Sequence, residues 1–387
     1  MKNILSKFYY IIYRFISYLP KRKKTIIFES FLGKQYSDNP KAIYLYMQQR
    51  CPEYKLYWSF DRRQYRHLKE NVSRPVSRFG VKWLFVMARA EYLVTNSRMP
   101  HWIPKSKGTK YIQTWHGTPL KKLGIDIQEV RMPGTTTEQY RKNFINEAQK
   151  WDVLVSPNTY STEIFKRAFQ YKDKVIESGY PRNDILYNCN SDSVILDLKR
   201  SLKLPTNRKV ILYAPTWRDN DFYSVGKYKL NLKLDLERMR KELGKEYIIL
   251  IRAHYLVAEN LDLTSYKNFA YDMSLYPDIS ELYLISDMLI TDYSSVFFDY
   301  ANLERPMIFF TYDIDSYRDE LRGFYFDIEK EAPGPIVKTT EKVILEIKKF
   351  EKERYSINNY NKEFIDKFCS LEDGDASRRV VNYIVNK

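Results

Sequence analysis

Histidine and cysteine are both scarce in this chain, with four His and three Cys among 387 residues. Cys51, Cys189 and Cys369 lie far apart and form no C-x-x-C pair. That scatter argues against a disulfide framework or a zinc site, and for a reducing compartment. The three read as small buried hydrophobes. No tight acidic cluster marks a resident metal, so no metal site and no required cofactor are assigned; whether Mg²⁺ assists stays open. A long apolar run is missing too. The most apolar stretch, at the N-terminus, is broken by Lys2, Lys7 and Arg14, and is too short and too charged to span a bilayer. No small-residue cleavage site follows it, which weakens a signal-peptide reading. There is no tandem repeat and no low-complexity tract.

What is abundant is positive charge and aromatic surface. Lys and Arg number 64 against 48 Asp and Glu, a net charge of +16, which points to anionic partners: nucleic acid, anionic lipid or a phosphorylated substrate. The 34 Tyr, 21 Phe and 6 Trp suit a membrane interface or stacking on sugars and nucleotides. Codon bias in an AT-rich genome explains them equally well. A hydrophobic fraction of 44% is enough for real cores, and the length fits two domains.

Within residues 1–24, Ile4, Phe8, Ile11, Ile12, Phe15 and Leu19 recur at spacings of three and four, which predicts one apolar helical face. Pro20 ends the helix, and Lys21, Arg22, Lys23 and Lys24 form a basic cluster behind it. An amphipathic helix lying in an anionic membrane surface is the expectation; a helix packed on the protein's own core is the alternative.

Short apolar runs then alternate with helical patterns. Strands are expected at Thr25–Glu29, Lys55–Trp58, Tyr92–Thr95, Lys110–Thr114 and Val153–Ser156, then at Lys209–Tyr213, Tyr247–Ile251, Met288–Thr291 and Met307–Thr311. Helices are expected at Pro40–Arg50, Val81–Ala90, Glu138–Lys150 and Ser161–Phe169. Wholly apolar short strands are those of parallel sheets covered by helices on both faces. The expected class is α/β, with two doubly wound Rossmann-like domains over residues 25–190 and 191–365. Residues 366–387 are expected to form a helix crossing back to brace the first domain. Open α/β sheets bind ligands beyond the carboxyl ends of their strands, and several polar clusters fall there.

The first cluster is Gln113-Thr114-Trp115-His116-Gly117-Thr118-Pro119-Leu120-Lys121-Lys122. His116 is expected to project into a cleft, with Gly117 permitting close approach and Thr118 donating to a phosphate. A turn histidine with no role is the alternative. The second is Arg252-Ala253-His254-Tyr255, where alternation puts Arg252 and His254 on one side of an extended backbone, as a clamp for a pyrophosphate. The third is Thr291-Asp292-Tyr293-Ser294-Ser295, running into a helix start. Its free N–H groups and two hydroxyls would cradle a phosphate, with Asp299 on the same face; plain N-capping also explains one Ser. Thr216 and Arg218 in Ala214-Pro215-Thr216-Trp217-Arg218 are expected to face a nucleotide, and Arg182 in Gly179-Tyr180-Pro181-Arg182-Asn183-Asp184 to reach the cleft; either segment also suits a structural turn. His67 and His101 read as surface residues.

Trp-His-Gly-Thr-Pro, Gly-Tyr-Pro-Arg-Asn-Asp, Ala-Pro-Thr-Trp-Arg, Arg-x-His and Thr-Asp-Tyr-Ser-Ser, in this order, resemble the CDP-glycerol glycerophosphotransferases of teichoic acid synthesis. The resemblance runs from about Thr25 to Asp375. It implies a GT-B architecture, two Rossmann-like domains facing across a cleft, and transfer of glycerol phosphate from CDP-glycerol with release of CMP. The implied acceptor is a lipid-linked (undecaprenyl diphosphate) disaccharide or glycerol phosphate, reached by a peripheral protein on the cytoplasmic face of the cell membrane. Carried over by motif, Trp115, His116, Gly117, Thr118, Pro119, Arg252, Ala253 and His254 would line the reaction centre. Arg182, Pro215, Thr216, Ser294, Ser295 and Asp299 would hold the donor. His116 is the expected general base, with His254 and Arg252 offsetting developing charge.

Three other readings compete. One is a CDP-ribitol donor on the same family plan. Another is a sugar-nucleotide glycosyltransferase on the same fold. The third is a non-catalytic basic binder, although the basic residues are spread along the chain and form no RNA-binding signature, so nucleic acid is not expected. With little room for an extra acceptor domain, the length mildly favours a short addition over polymerisation.

Overall fold

The computed structural model describes residues 2–130, 135–216, 222–224, 227–228, 232–253, 261–314, 323–353 and 359–386. The polypeptide forms two compact units. Met1–Gly117, Leu123–Asp184 and Leu371–Lys387 make the first, and Thr118–Lys122 with Ile185–Ser370 the second. The main crossing thus falls after Asp184, where the sequence suggested 190. The five residues that follow His116-Gly117 belong to the second unit, which no local pattern announced.

The first unit is built on seven parallel strands: β1 (Arg22–Glu29), β2 (Lys55–Phe60), β3 (Pro75–Ser77), β4 (Ala90–Thr95), β5 (Lys110–Gln113), β6 (Val153–Ser156) and β7 (Lys174–Glu177). Their order is β3-β2-β1-β4-β5-β6-β7. The sheet order reverses between β1 and β4, the crevice where open α/β sheets take ligands. Ile26, Phe28, Trp58, Val94, Ile112 and Val155 pack in one core cluster with Ile43, Tyr44 and Met47 of the helix Asp38–Arg50 (α2) and with Val380, Val381 and Ile384 of the last helix.

The second unit holds β8 (Lys209–Ala214), a small hairpin of β9 (Phe222–Ser224) and β10 (Lys227–Tyr228), then β11 (Tyr247–Ile251), β12 (Ala270–Asp272), β13 (Met288–Thr291), β14 (Met307–Phe310) and β15 (Ile336–Val337). Apart from the hairpin these form a six-stranded sheet in the order β12-β11-β8-β13-β14-β15, with every pairing parallel. β11, β13 and β14 are buried along their whole length. That is why they read as unbroken apolar runs.

The expected N-terminal helix is present as Lys2–Ser17, but its surroundings differ from expectation. Tyr13 and Ile16 are buried, and the helix packs on the helix Val81–Arg89. Tyr9 sits against Phe79, Trp83 and Trp102 at ring separations of 6.1, 6.4 and 6.0 Å. Phe8, Ile11, Phe15 and Leu19 remain exposed. The basic cluster is not a tail: Lys21 donates to the Ala88 carbonyl at 2.7 Å, and Arg22, Lys23 and Lys24 are the exposed start of β1. Pairing to the sheet was invisible because the charged residues masked the strand's beginning. No helix among the described residues is long and apolar enough to cross a membrane.

Candidate functional site

In the first unit three neighbouring strand ends converge on His116. Beyond β1 the chain turns through Phe31 and Leu32, beyond β4 through Asn96, and beyond β5 through Thr114 and Trp115. Phe31, Leu32, Asp38 and Trp115 all have left-handed backbone, with φ of 46, 59, 66 and 51°. Non-glycine residues adopt that conformation only at a cost, and such residues gather at functional sites. The Trp115 ring is buried against Phe144, Trp151, Phe165 and Phe169, the last at 4.7 Å. Trp115 thus anchors its loop in an aromatic core. Its other contact is with the imidazole of His116, stacked at 4.7 Å and 25°, while Phe31 meets the same ring edge-on at 5.8 Å.

His116 Nδ1 lies 2.7 Å from the Asn96 carbonyl oxygen. A carbonyl only accepts, so in the neutral ring Nδ1 carries the proton and Nε2 keeps its lone pair, the tautomer following from this hydrogen bond. The ring retains exposed surface, yet protein surrounds it closely enough that loss of water dominates its titration. Desolvation pulls its pKa below the ordinary value; the Asn96 hydrogen bond and the Asp38 charge oppose this, while Arg182 and Arg98 add to it. A neutral imidazole with a fixed tautomer and an unprotonated Nε2 is the form a general base needs.

Two residues that sequence reading passed over tie this arrangement together. Asn39, fully buried, donates from Nδ2 to the carbonyls of Thr114 and Trp115, both at 3.3 Å. Its Oδ1 accepts from the Arg182 N–H at 3.1 Å. Asp38 pairs with the Arg182 guanidinium at 2.9 Å, both side chains more than nine-tenths buried. In the sequence Ser-Asp-Asn-Pro looked like nothing more than a helix start. Asn96 and Arg98, likewise missed, lie in an ordinary polar turn; Arg98 stacks over Phe144 at 4.2 Å. Arg182 comes from the turn Gly179–Asn183 and lies over the Tyr180 ring at 4.7 Å. That turn needs glycine at 179, where φ is 78° and a Cβ would fall 2.8 Å from Glu372 Oε2 and 2.9 Å from the Leu371 carbonyl.

In the second unit the adjacent ends of β11, β8 and β13 gather Arg252 and Ala253, Pro215 and Thr216, and Ser294 and Ser295. Thr216 N–H donates to Asp292 Oδ1 at 2.8 Å, and Thr291 Oγ1 to the Ala214 carbonyl at 2.7 Å, which stitches two of these ends together. Ser295 precedes the short helix Val296–Tyr300, and its side chain makes no capping hydrogen bond. Asp299 is buried within that helix. Arg252 Nη1 donates to the carbonyls of Met273 at 2.6 Å, Ser274 at 3.1 Å, and Tyr276. Ala253 N–H donates to Ser274 Oγ at 3.1 Å. His254 and Arg218 lie outside the described residues.

Gly117, Thr118 and Pro119 are buried. From Thr118 the chain runs in the second unit, where Tyr325 N–H donates to the Leu120 carbonyl at 2.9 Å and Lys122 N–H to that of Gly323 at 3.2 Å. Lys121 and Phe324 form a bridge there, and the Phe324 ring stacks on Tyr293 at 5.7 Å. Among the described residues, no group of three or more His, Cys, Asp or Glu is placed to hold a metal ion.

Residues 11–386 match the model of the CDP-glycerol:poly(glycerophosphate) glycerophosphotransferase family. A teichoic acid poly(glycerol phosphate) polymerase of Bacillus subtilis is 57% identical over 99% of this chain, which spans 52% of that relative's length. A polymerase of the same description from Bacillus spizizenii is 55% identical, with 99% of this chain and 98% of the relative covered. A teichoic acid glycerol-phosphate transferase of Staphylococcus aureus is 46% identical over 99% of this chain and 98% of its own. A solved structure of the wall teichoic acid polymerase TagF, soaked with CDPG, matches with a TM-score of 0.92 at 45% identity, covering 100% of this chain and 95% of that one. A UDP-GlcNAc 2-epimerase of Neisseria meningitidis, 12% identical with a TM-score of 0.57, shares the fold alone. Two parallel-sheet units of the GT-B-like kind, the motifs in order and these relatives lead to one conclusion: the chain belongs to the CDP-glycerol:poly(glycerophosphate) glycerophosphotransferase family and is a transferase.

Proposed function

We propose that this transferase moves glycerol phosphate from CDP-glycerol to a hydroxyl of a lipid-linked acceptor and releases CMP, in wall teichoic acid synthesis. The observation that carries the reading is His116: its Nδ1 lies against the Asn96 carbonyl, which in the neutral ring leaves Nε2 with its lone pair. The acceptor oxygen attacks the glycerol-bearing phosphorus and Nε2 takes its proton. The bond from that phosphorus to the bridging oxygen breaks, and the electron pair leaves with CMP. Thr216, Ser294, Ser295 and Asp299 hold the donor from the ends of β8 and β13. His254, in the Arg-x-His motif, offsets charge on the leaving phosphate, and no cofactor takes part in the reading.

Glycerol rather than ribitol is favoured because the relatives named for glycerol phosphate reach 57% and 55% identity. A poly(ribitol-phosphate) polymerase of Bacillus spizizenii reaches 35% over 72% of the chain. Repeated rather than single addition is favoured for a related reason: a relative named as a polymerase is covered over 98% of its length, so modest chain length does not argue for a short product. The exposed Phe8, Ile11 and Phe15, with Arg22, Lys23 and Lys24 nearby in sequence, fit a peripheral enzyme on an anionic membrane surface on the cytoplasmic side.

The test is incubation of the protein with a lipid-linked disaccharide and either CDP-glycerol or CDP-ribitol, followed by mass analysis of the lipid product. A ladder spaced by glycerol phosphate is expected. Transfer from CDP-ribitol alone overturns the donor assignment, and a product one unit longer overturns polymerisation. A Phe8→Ser, Ile11→Ser, Phe15→Ser protein is expected to lose binding to vesicles containing anionic lipid; unchanged binding removes the helix as the membrane contact.

A further inference from the structure

We propose that Asp38 and Asn39 are positioning residues for His116, clamping its loop to the Arg182 turn through a buried ion pair and a buried amide. The inference rests on the reading of His116 as general base. Asn39 is a fully buried amide whose three hydrogen bonds reach two separate loops: two to the backbone just before His116 and one from the backbone of Arg182. A side chain so placed fixes the distance between those loops, since losing it leaves buried backbone groups without partners. Asp38 holds a left-handed backbone at φ 66°, a conformation that non-glycine residues adopt at a cost. What it sustains is a buried ion pair with Arg182, and breaking such a pair by removing one partner is unfavourable.

The charged groups acting on His116 come from three elements: Asp38 at the start of α2, Arg98 beyond β4, and Arg182 from the turn beyond β7. The neighbouring Phe31 and Trp115 rings and the Asn96 carbonyl carry no charge. One carboxylate therefore works against two guanidinium groups. With Asp38 made neutral, both cations act unopposed, the ring holds its proton less tightly, and the base stays available to lower pH.

The experiment measures CMP release by the full chain from CDP-glycerol across pH for wild type, Asp38→Asn, Asp38→Glu, Asn39→Ala and His116→Gln. Asp38→Asn is expected to move the acidic limb of kcat/KM down by about 0.5–1 pH unit, and Asp38→Glu to restore it. Asn39→Ala is expected to lower kcat about 10- to 100-fold through misplacement of the base, with KM for the donor changed by less than about two-fold. An acidic limb that stays in place or rises in Asp38→Asn overturns the inference, as does wild-type kcat in a folded Asn39→Ala protein. Where Asn39→Ala fails to fold, the Asp38→Asn profile decides alone. Wild-type kcat in His116→Gln overturns the base reading itself. An inactive His116→Gln combined with an unmoved Asp38→Asn limb overturns only the positioning role.

Discussion

Three adjacent strand ends converge in each unit, and the two units use them in opposite ways. Beyond β1 and β5 the backbone takes left-handed turns at Phe31, Leu32 and Trp115, and beyond β4 it offers the Asn96 carbonyl; the result is one imidazole pinned on two rings and a carbonyl. Beyond β11, β8 and β13 the polar side chains mend the backbone. Arg252 closes three carbonyls, Asp292 receives the Thr216 N–H, and Thr291 reaches Ala214. The same sheet geometry thus holds a pinned imidazole in one unit and a braced rim in the other. An arginine at a strand end is therefore weak evidence for a phosphate clamp, because carbonyls freed where parallel strands stop compete for the same donors.

The largest effect expected from this contrast is at His116. His116→Ala should lower kcat about 10²- to 10⁴-fold with little change in thermal stability. In the wild type the acidic limb of kcat/KM should fall below the ordinary histidine value of about 6.5, because loss of water around the ring favours its neutral form and activity is lost only as falling pH protonates it. A limb above that value breaks the assignment. Next comes Arg252→Ala, which strands three carbonyls and should destabilise the fold by about 2–4 kcal/mol, read as a lowered melting temperature. Activity lost at an unchanged melting temperature would return Arg252 to the role of clamp and erase the contrast. The smallest effect on stability is at Ser295. Since its side chain caps nothing, Ser295→Ala should shift stability by less than about 0.5 kcal/mol while raising KM for CDP-glycerol. A loss near 1 kcal/mol, the usual cost of a lost cap, would make it an ordinary capping residue.

The central strands were readable from the chain and the edges were not. Val153–Ser156, Tyr247–Ile251 and Met288–Thr291 occur where their apolar runs predict. The strands missed in the two sheets, Pro75–Ser77, Lys174–Glu177, Ala270–Asp272 and Ile336–Val337, are the four edges. Edge strands are short and half-covered, so they lack the continuous apolar signal of a strand buried on both faces. The site divides along similar lines. His116 and Arg182 stand out in recognisable motifs, whereas Asp38, Asn39 and Asn96 act through partners distant in sequence, and no local pattern records such a partner. Trp115 was legible as part of a motif but not as a core anchor. Its burial depends on Phe144, Trp151, Phe165 and Phe169, which lie on segments far down the chain.

By itself the sequence determined the α/β class, the central strands, the family and the two motifs that carry His116 and Arg182, because apolar run length and motif order are local properties of a chain. Only the tertiary structure decided that His116 Nδ1 meets the Asn96 carbonyl, that Asp38 and Asn39 tie its loop to the Arg182 turn, and that Arg252 Nη1 meets three carbonyls. Those outcomes depend on which strand ends become neighbours in the sheet. That is settled by burying apolar faces over the whole unit, not by any residue's immediate neighbours.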